Sequence, residues 1–138
     1  MSAKSLSDLS KQMRKIDITM LTIHTDDGEI AARPMSNNGE VEYDGNSYYF
    51  TWNKSRMVTD IKRNSRVLLS FQGKKGLFVA VQGEAGVIRD KKRFKEHWTS
   101  DLDQWFEDGA DTKGLVMIKV VATRIDYWDG EENGEVEL

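Results

Sequence analysis

The chain has 138 residues, of which 11 are glycine, one is proline and none is cysteine, and its formal net charge at neutral pH is −3. That length predicts one ordinary domain, too short for a substrate domain beside a full dinucleotide-binding fold. The missing cysteine excludes disulfide staples, thiolate metal ligands and a cysteine nucleophile, while 38% hydrophobic and 31% charged residues suit a globular core rather than a fibre.

In chain order, Ser5-Leu6-Ser7-Asp8 reads as a capping box opening a short amphipathic helix over Ser5–Lys15, with Leu6, Leu9 and Met13 on one stripe. Ile18–His24 and Ile30–Met35 read as strands joined by the turn Asp26-Asp27-Gly28. Glu40–Tyr43 and Ser47–Trp52 follow as two more strands around Asp44-Gly45-Asn46, a strong hairpin signal. Ser55–Arg63 turns helical, with Met57, Val58 and Ile61 on one side. Strands Arg66–Phe71 and Leu77–Ile88 flank the turn Gln72–Gly76, and Gly83-Glu84-Ala85-Gly86 marks a bulge or bend in the second of them. Two short helices, Asp90–Trp98 and Leu102–Phe106, precede a long strand Leu115–Tyr127, in which Leu115, Met117, Lys119 and Val121 alternate with Val116, Ile118 and Val120.

Strands joined mostly by hairpins and interrupted by short helices predict a mainly β protein, an antiparallel β-barrel with helical plugs, over residues 1–130. Residues 131–138 read as an acidic C-terminal tail. Six acidic residues and no basic one lie between 126 and 138, so a solvated, partly disordered end is expected there. The mildly basic remainder suits a small anionic ligand better than a nucleic-acid duplex. No apolar run approaches the roughly 18–20 residues that span a bilayer, and Met1–Lys15 lacks the apolar centre of a signal peptide. A cytoplasmic chain is the expectation.

Protein-borne catalysis finds little support. His24 and His97 are the only histidines, and each reads as a surface or packing residue; Asp26 and Asp27 read as turn formers. The chain has no GxGxxG, P-loop or HExxH pattern. The stretch Tyr48–Arg56 is richer, because an aromatic strand runs into a helix start at Ser55. Exposed N–H groups there, with Lys54 and Arg56, suit a phosphate beside a planar ring. The plainer reading has Asn53 or Ser55 capping the helix and the aromatics filling a core. Arg33, just before Pro34 in Ala32-Arg33-Pro34-Met35, is a second candidate anion contact, and Trp105 reads as a lid aromatic or a helix anchor.

These segments, in order, resemble the pyridoxamine 5′-phosphate oxidase-like flavoproteins, and among them the small bacterial general stress proteins. The likeness runs from about Asp17 to Gly130 through Ala32–Met35, Thr51-x-x-x-Ser55-Arg56, Arg66–Phe71, Val79-x-Val81-x-Gly83-x-Ala85, Trp105–Gly109 and Tyr127–Asp129. It implies an FMN-binding split barrel that forms a homodimer with the cofactor at the subunit interface. It further implies that Arg33, Ser55 and Arg56 grip the phosphate, Thr51 lies near the isoalloxazine edge, Pro34 and Met35 line the ring, and Trp105 approaches the flavin. FAD, a deazaflavin or haem stay open as other occupants, and so do a flavin-dependent oxidoreductase with a small-molecule redox partner and a non-catalytic flavin carrier or sensor.

The chain departs from the true oxidase pattern in three places. Met57 stands where a lysine follows the Ser-Arg pair, Asn38 stands where another lysine is usual, and Thr123-Arg124-Ile125-Asp126 replaces the substrate-handling Arg-x-His. Oxidation of pyridoxamine phosphate is therefore not expected. The rival reading from another class is a small β-barrel that binds single-stranded nucleic acid, with Tyr48, Tyr49 and Trp52 stacking bases beside Lys54, Arg56, Lys62 and Arg63.

Overall fold

A computed structural model describes residues 4–37 and 43–138. Helix α1, Leu6–Met13, opens with the expected capping box: Ser5 Oγ accepts from the Asp8 N–H and the Asp8 carboxylate accepts from the Ser5 N–H. Strands β1 (Ile18–His24) and β2 (Ile30–Ser36) form the first hairpin, and β3 is Asn46–Trp52. Helix α2, Arg56–Arg63, leads to β4 (Arg66–Gln72) and β5 (Leu77–Ile88). Helix α3, Lys91–Glu96, is capped by Asp90 and stops at His97, short of the expected Trp98. The second short helix is a 3-10 turn over Ser100–Gln104, and the chain ends in β6 (Leu115–Asp129) and β7 (Glu132–Glu137). The strand expected over residues 40–43 lies outside the described residues except for Tyr43, whose N–H donates to Ser10 Oγ at 2.8 Å.

All seven strands pair antiparallel in one sheet, in the order β2-β1-β4-β5-β6-β3, with β7 beside the far half of β6. This is the antiparallel β-barrel expected from the hairpin-rich pattern, in the split form that the family resemblance implies. Its inner face carries Leu21, Leu69, Phe71, Val79, Val81, Ile118, Val120, Ile125 and Tyr127, all nearly inaccessible. Helix α1 adds Leu9 and Met13 to this core and α2 adds Met57, Val58 and Ile61, so the apolar stripes read from the sequence are the faces that plug the barrel.

The long strand keeps its inner face only because its phase changes. Gln82 pairs with Arg124 and Gly83 with Ala122, which leaves Thr123 as the extra residue of a β-bulge. The Thr123 hydroxyl closes the irregularity by donating to Gln82 O at 3.2 Å. Inward positions run Val116, Ile118, Val120, Ala122 before the bulge and Ile125, Tyr127 after it. Gly83 is required here: a Cβ on it would lie 2.6 Å from the Val121 carbonyl oxygen. The expected bulge in this glycine pair is thus present, with its extra residue on the neighbouring strand.

A second, smaller core explains why Leu115–Ile118 are buried on both faces. Phe50, Phe94, Phe106, Leu115 and Met117 pack together outside the barrel wall, where α3 and the following turns cover β3 and β6.

The acidic end corrects the sequence reading. Residues 132–137 are strand β7 rather than a disordered tail. Arg124 supplies the countercharge, contacting Asp126 at 3.2 Å, Glu135, and Glu137 at 3.7 Å. Val136 packs against the inner core opposite Ile125. The charge run concealed a strand because alternate positions face water while one cross-strand arginine neutralises them.

Candidate functional site

The sheet path ends at β2 on one side and β3 on the other, so among the described residues each of these strands has a neighbour on one side only. A cleft of about 650 Å³ opens between them, within the range of small-molecule sites. One wall is residues 33–37 of β2 with Asp17 and Ile18. The other is residues 48–52 of β3, with His97, Thr99 and the turn that carries Trp105 and Phe106.

Five of the seven expected site residues meet in this cleft: Arg33, Pro34, Met35, Thr51 and Trp105. Pro34 sits on an edge strand, where the missing N–H costs no ladder bond. Met35 and Thr51 are buried at the floor, whereas Trp105 is 63% exposed at the mouth. The Trp105 N–H donates to Leu102 O at 3.0 Å, ending the 3-10 turn. Arg33 is the only Lys or Arg lining the cleft among the described residues, and Asp17 its only carboxylate. The β2 wall is anchored from behind by Asn37, whose side-chain amide donates to Met13 O at 2.9 Å and Ile16 O at 2.7 Å.

Ser55 and Arg56 lie elsewhere. Ser55 is the N-cap of α2, its hydroxyl accepting from the Met57 N–H at 3.2 Å. The exposed Arg56 side chain donates to Asp26 at 3.3 Å and lies 3.9 Å from the buried Asp60. Arg63 completes the group, 3.7 Å from Asp26 and 4.0 Å from Asp60. In one chain these arginines are held by two aspartates and do not line the cleft. Asn38 lies outside the described residues.

The cleft also contains two residues outside the seven expected ones: Tyr48, from the aromatic strand read as a neighbour for a planar ring, and His97, which the sequence marked only as a surface or packing residue. Tyr48 and His97 line it as a stacked pair, with ring centroids 3.6 Å apart and planes 15° from parallel. Burial lowers the His97 pKa, with Arg93 and Lys119 adding to the shift and Glu96 and Asp44 opposing it. Tyr49 forms part of the inner wall, and burial pushes its phenol up to about 12 against small offsets from the Thr19 and Ser47 hydroxyls. His97 followed a basic helix in the sequence, and no local pattern announced that its ring would fold back onto β3. Only the fixed period of the aromatic strand could have marked Tyr48 as sharing a face with Phe50 and Trp52.

Chemically the cleft offers flat aromatic walls, hydroxyls and a single guanidinium. That donor set fits a planar heteroaromatic molecule carrying one anionic group. Among the described residues no group of three His, Asp or Glu side chains is placed to hold a metal ion, and no helix is long and apolar enough to cross a membrane.

Solved structures share this architecture. A protein related to general stress protein 26 of Bacillus subtilis, from Clostridium acetobutylicum, superposes with a TM-score of 0.83 at 18% identity, over 96% of this chain and 94% of that one. The general stress FMN/FAD binding protein of Xanthomonas citri gives 0.78 at 21% identity, over 96% and 94%. A heme binding protein from Mycobacterium smegmatis gives 0.77 at 9% identity, over 99% of this chain and 60% of that one. At these identities the likeness establishes the fold. A search of curated protein sequences gives no match. The model of the family described as pyridoxamine 5′-phosphate oxidase like matches residues 4–137. The chain therefore belongs to the pyridoxamine 5′-phosphate oxidase-like family.

Proposed function

We infer that this chain is an FMN-binding protein of the general stress type that works as a homodimer, with the flavin in the cleft between β2 and β3. The observation that carries the reading is the convergence of Arg33, Pro34, Met35, Thr51 and Trp105, from three separate segments, on one cleft. Arg33 would take the phosphate, and a single guanidinium matches one phosphate better than the diphosphate of FAD. Pro34 and Met35 would flank the ring and Trp105 would cover it. The bound flavin supplies electron or hydride transfer; the protein supplies position and electrostatics. The family membership and the X. citri neighbour support the cofactor. Thr123-Arg124-Ile125-Asp126, in place of the substrate-handling Arg-x-His, favours a small-molecule redox role or a flavin carrier over pyridoxamine phosphate oxidation.

The homodimer is supported by the outer face of the sheet. Register places Pro34, Met20, Ser70 and Ala80 in one row across β2, β1, β4 and β5. Phe78 pairs with Trp128 in the adjacent row. Ile18, Met20, Phe78 and Trp128 are 39–51% exposed, an apolar surface that a second copy would cover.

The test is titration of purified protein with FMN and with riboflavin, followed by flavin fluorescence. Saturation at one FMN per subunit is expected. Arg33→Ala should weaken FMN by about ten- to a hundredfold, since hydrogen bonds to charged groups contribute roughly 1.5–3 kcal/mol, and should leave riboflavin nearly unchanged. Equal losses for both ligands would remove Arg33 from the phosphate; failure of wild type to bind either would remove the flavin.

A further inference from the structure

Four hydroxyl groups meet inside the barrel where β1 and β3 come together without pairing. Among the described residues these strands share no ladder: Thr19 pairs with Met35 and Phe71, whereas Ser47 and Tyr49 pair with Val120 and Ile118. Thr19 is completely buried and Tyr49 nearly so. The Tyr49 phenol faces the Thr19 and Ser47 hydroxyls, and the Tyr43 phenol faces Ser47 with Tyr49 close by. Tyr43 is held in place by its N–H, which donates to the buried Ser10 Oγ of α1 at 2.8 Å.

Among the described residues, four buried side-chain oxygens have no hydrogen-bond partner in the protein, and three of them are Thr19 Oγ1, Tyr43 OH and Tyr49 OH. The fourth, Gln12 Oε1, belongs to the Lys4–Asp129 group. The three hydroxyls are near enough to Ser47 or to one another to affect ionisation, yet they do not meet the geometry of a direct hydrogen bond. Burial keeps both phenols protonated at neutral pH, so each has a proton to donate and lone pairs to accept. A buried hydroxyl without a partner is costly, and native proteins rarely leave one unpaired. Three in one place therefore point to a shared partner. Hydroxyls that approach without bonding directly are the arrangement a water bridges, and an internal water needs about two to four polar partners. Asp44 is the one charged side chain acting on these phenols among the described residues, so a small neutral partner fits better than an ion.

We propose that Thr19, Tyr43, Ser47 and Tyr49 form a hydration site that holds an internal water and closes the barrel between β1 and β3. One water has two protons and two lone pairs, enough to join the hydroxyls that the two sides of the barrel bring together. The site lies behind the cleft, because Tyr49 belongs to the cleft wall and Met35, on its floor, is the ladder partner of Thr19. The water thus ties the β3 wall to the β2 floor by way of β1. This role does not depend on which molecule the cleft receives, so it stands apart from the flavin reading.

The test counts long-lived internal water in the full chain by oxygen-17 magnetic relaxation dispersion. It also reads water-to-protein cross-relaxation at the Thr19 methyl and at the Tyr43 and Tyr49 rings. Wild type should show that cross-relaxation, and the double variant Thr19→Val with Tyr49→Phe should lose dispersion amplitude by the share of one water. Chemical denaturation supplies an independent sign. With a water satisfying these oxygens, Thr19→Val, Tyr43→Phe and Tyr49→Phe should each lower the folding equilibrium constant about two- to tenfold, as fits loss of one neutral hydrogen bond with the shape retained. With the oxygens simply unpaired, each substitution removes a buried polar group and the constant rises instead. Single variants as stable as wild type, or more so, would therefore overturn the proposal. An unchanged dispersion amplitude in the double variant would overturn it even where stability falls, because the hydroxyls would then bond one another directly. Should the double variant fail to fold, the wild-type cross-relaxation decides, and its absence at all three side chains would overturn the site.

Discussion

The proposed dimer surface is open to a direct quantitative test, through Phe78→Asp. Phe78 is 46% exposed, and its cross-strand partner Trp128 is 47% exposed. Burying a large apolar side chain completely contributes about 1.5–3 kcal/mol, so covering the exposed half of Phe78 contributes roughly 1 kcal/mol. A two-fold interface uses each residue twice, and the substitution then removes about 2 kcal/mol, or roughly thirtyfold in the dissociation constant. Thirtyfold is a lower bound, because the introduced carboxylate would be desolvated at the centre of the interface. Sedimentation velocity over a concentration series measures the constant directly, and circular dichroism of the variant checks that the barrel is intact. Phe78 points away from the inner core, so a folded monomer is the expected product. A wild type that stays monomeric at every concentration, or a Phe78→Asp chain with an unaltered dissociation constant, would refute the use of this face.

Three further outcomes are expected. Gly134→Ala should destabilise the chain by about 1–3 kcal/mol, because a Cβ there would press on the buried Tyr127 ring, 2.7 Å from Cζ and 2.9 Å from Cε1; a denaturant midpoint equal to wild type would return β7 to a loose tail. Asp26→Asn frees Arg56 from its 3.3 Å partner. It should tighten FMN binding two- to fivefold if Arg56 serves the phosphate, an exposed pair being worth about 0.2–1 kcal/mol, while riboflavin binding stays put; an FMN affinity that does not move would leave Arg56 to the surface network. An NMR titration should place the His97 midpoint below the ordinary imidazole value of about 6.5. The unfolded chain then binds the proton more tightly than the folded one. The His97 contribution to stability is accordingly complete above about pH 6.5 and declines as pH falls toward the folded midpoint, and a His97 midpoint at or above 6.5 would contradict the burial seen here.

Most of the barrel was legible because its signals are local and its periods simple. Ser5 and Asp8 cap α1, Asp90 caps α3, and β1 and β5 begin and end where β-branched runs meet turn residues. The acidic end was not legible, because composition reports average solvation and strand pairing depends on what lies opposite. Glu135 and Glu137 are tolerable beside one another only because Arg124 sits across the ladder from them, and that register is set by a turn at Gly130 and by a bulge at Thr123, neither visible in a charge count.

The site divides along the same line. Arg33, Pro34 and Met35 could be read as a unit because proline confines its strand to an edge, and an edge strand in a split barrel borders the opening. Ser55 and Arg56 could be read as a helix start, which they are, but a helix start says nothing about which cavity it faces. Here the nearest countercharges are Asp26, brought in by the β1–β2 turn, and Asp60, one helical turn further along. Any phosphate that recruits Arg56 must therefore compete with a carboxylate 3.3 Å away, whereas Arg33 lines the cleft with no ion pair among the described residues to break. Phosphate affinity in this chain should follow Arg33 first and Arg56 second. That order comes from two side-chain environments that no spacing rule distinguishes, because both residues look alike in sequence: an arginine next to a punctuating residue, Pro34 in one case and Ser55 in the other.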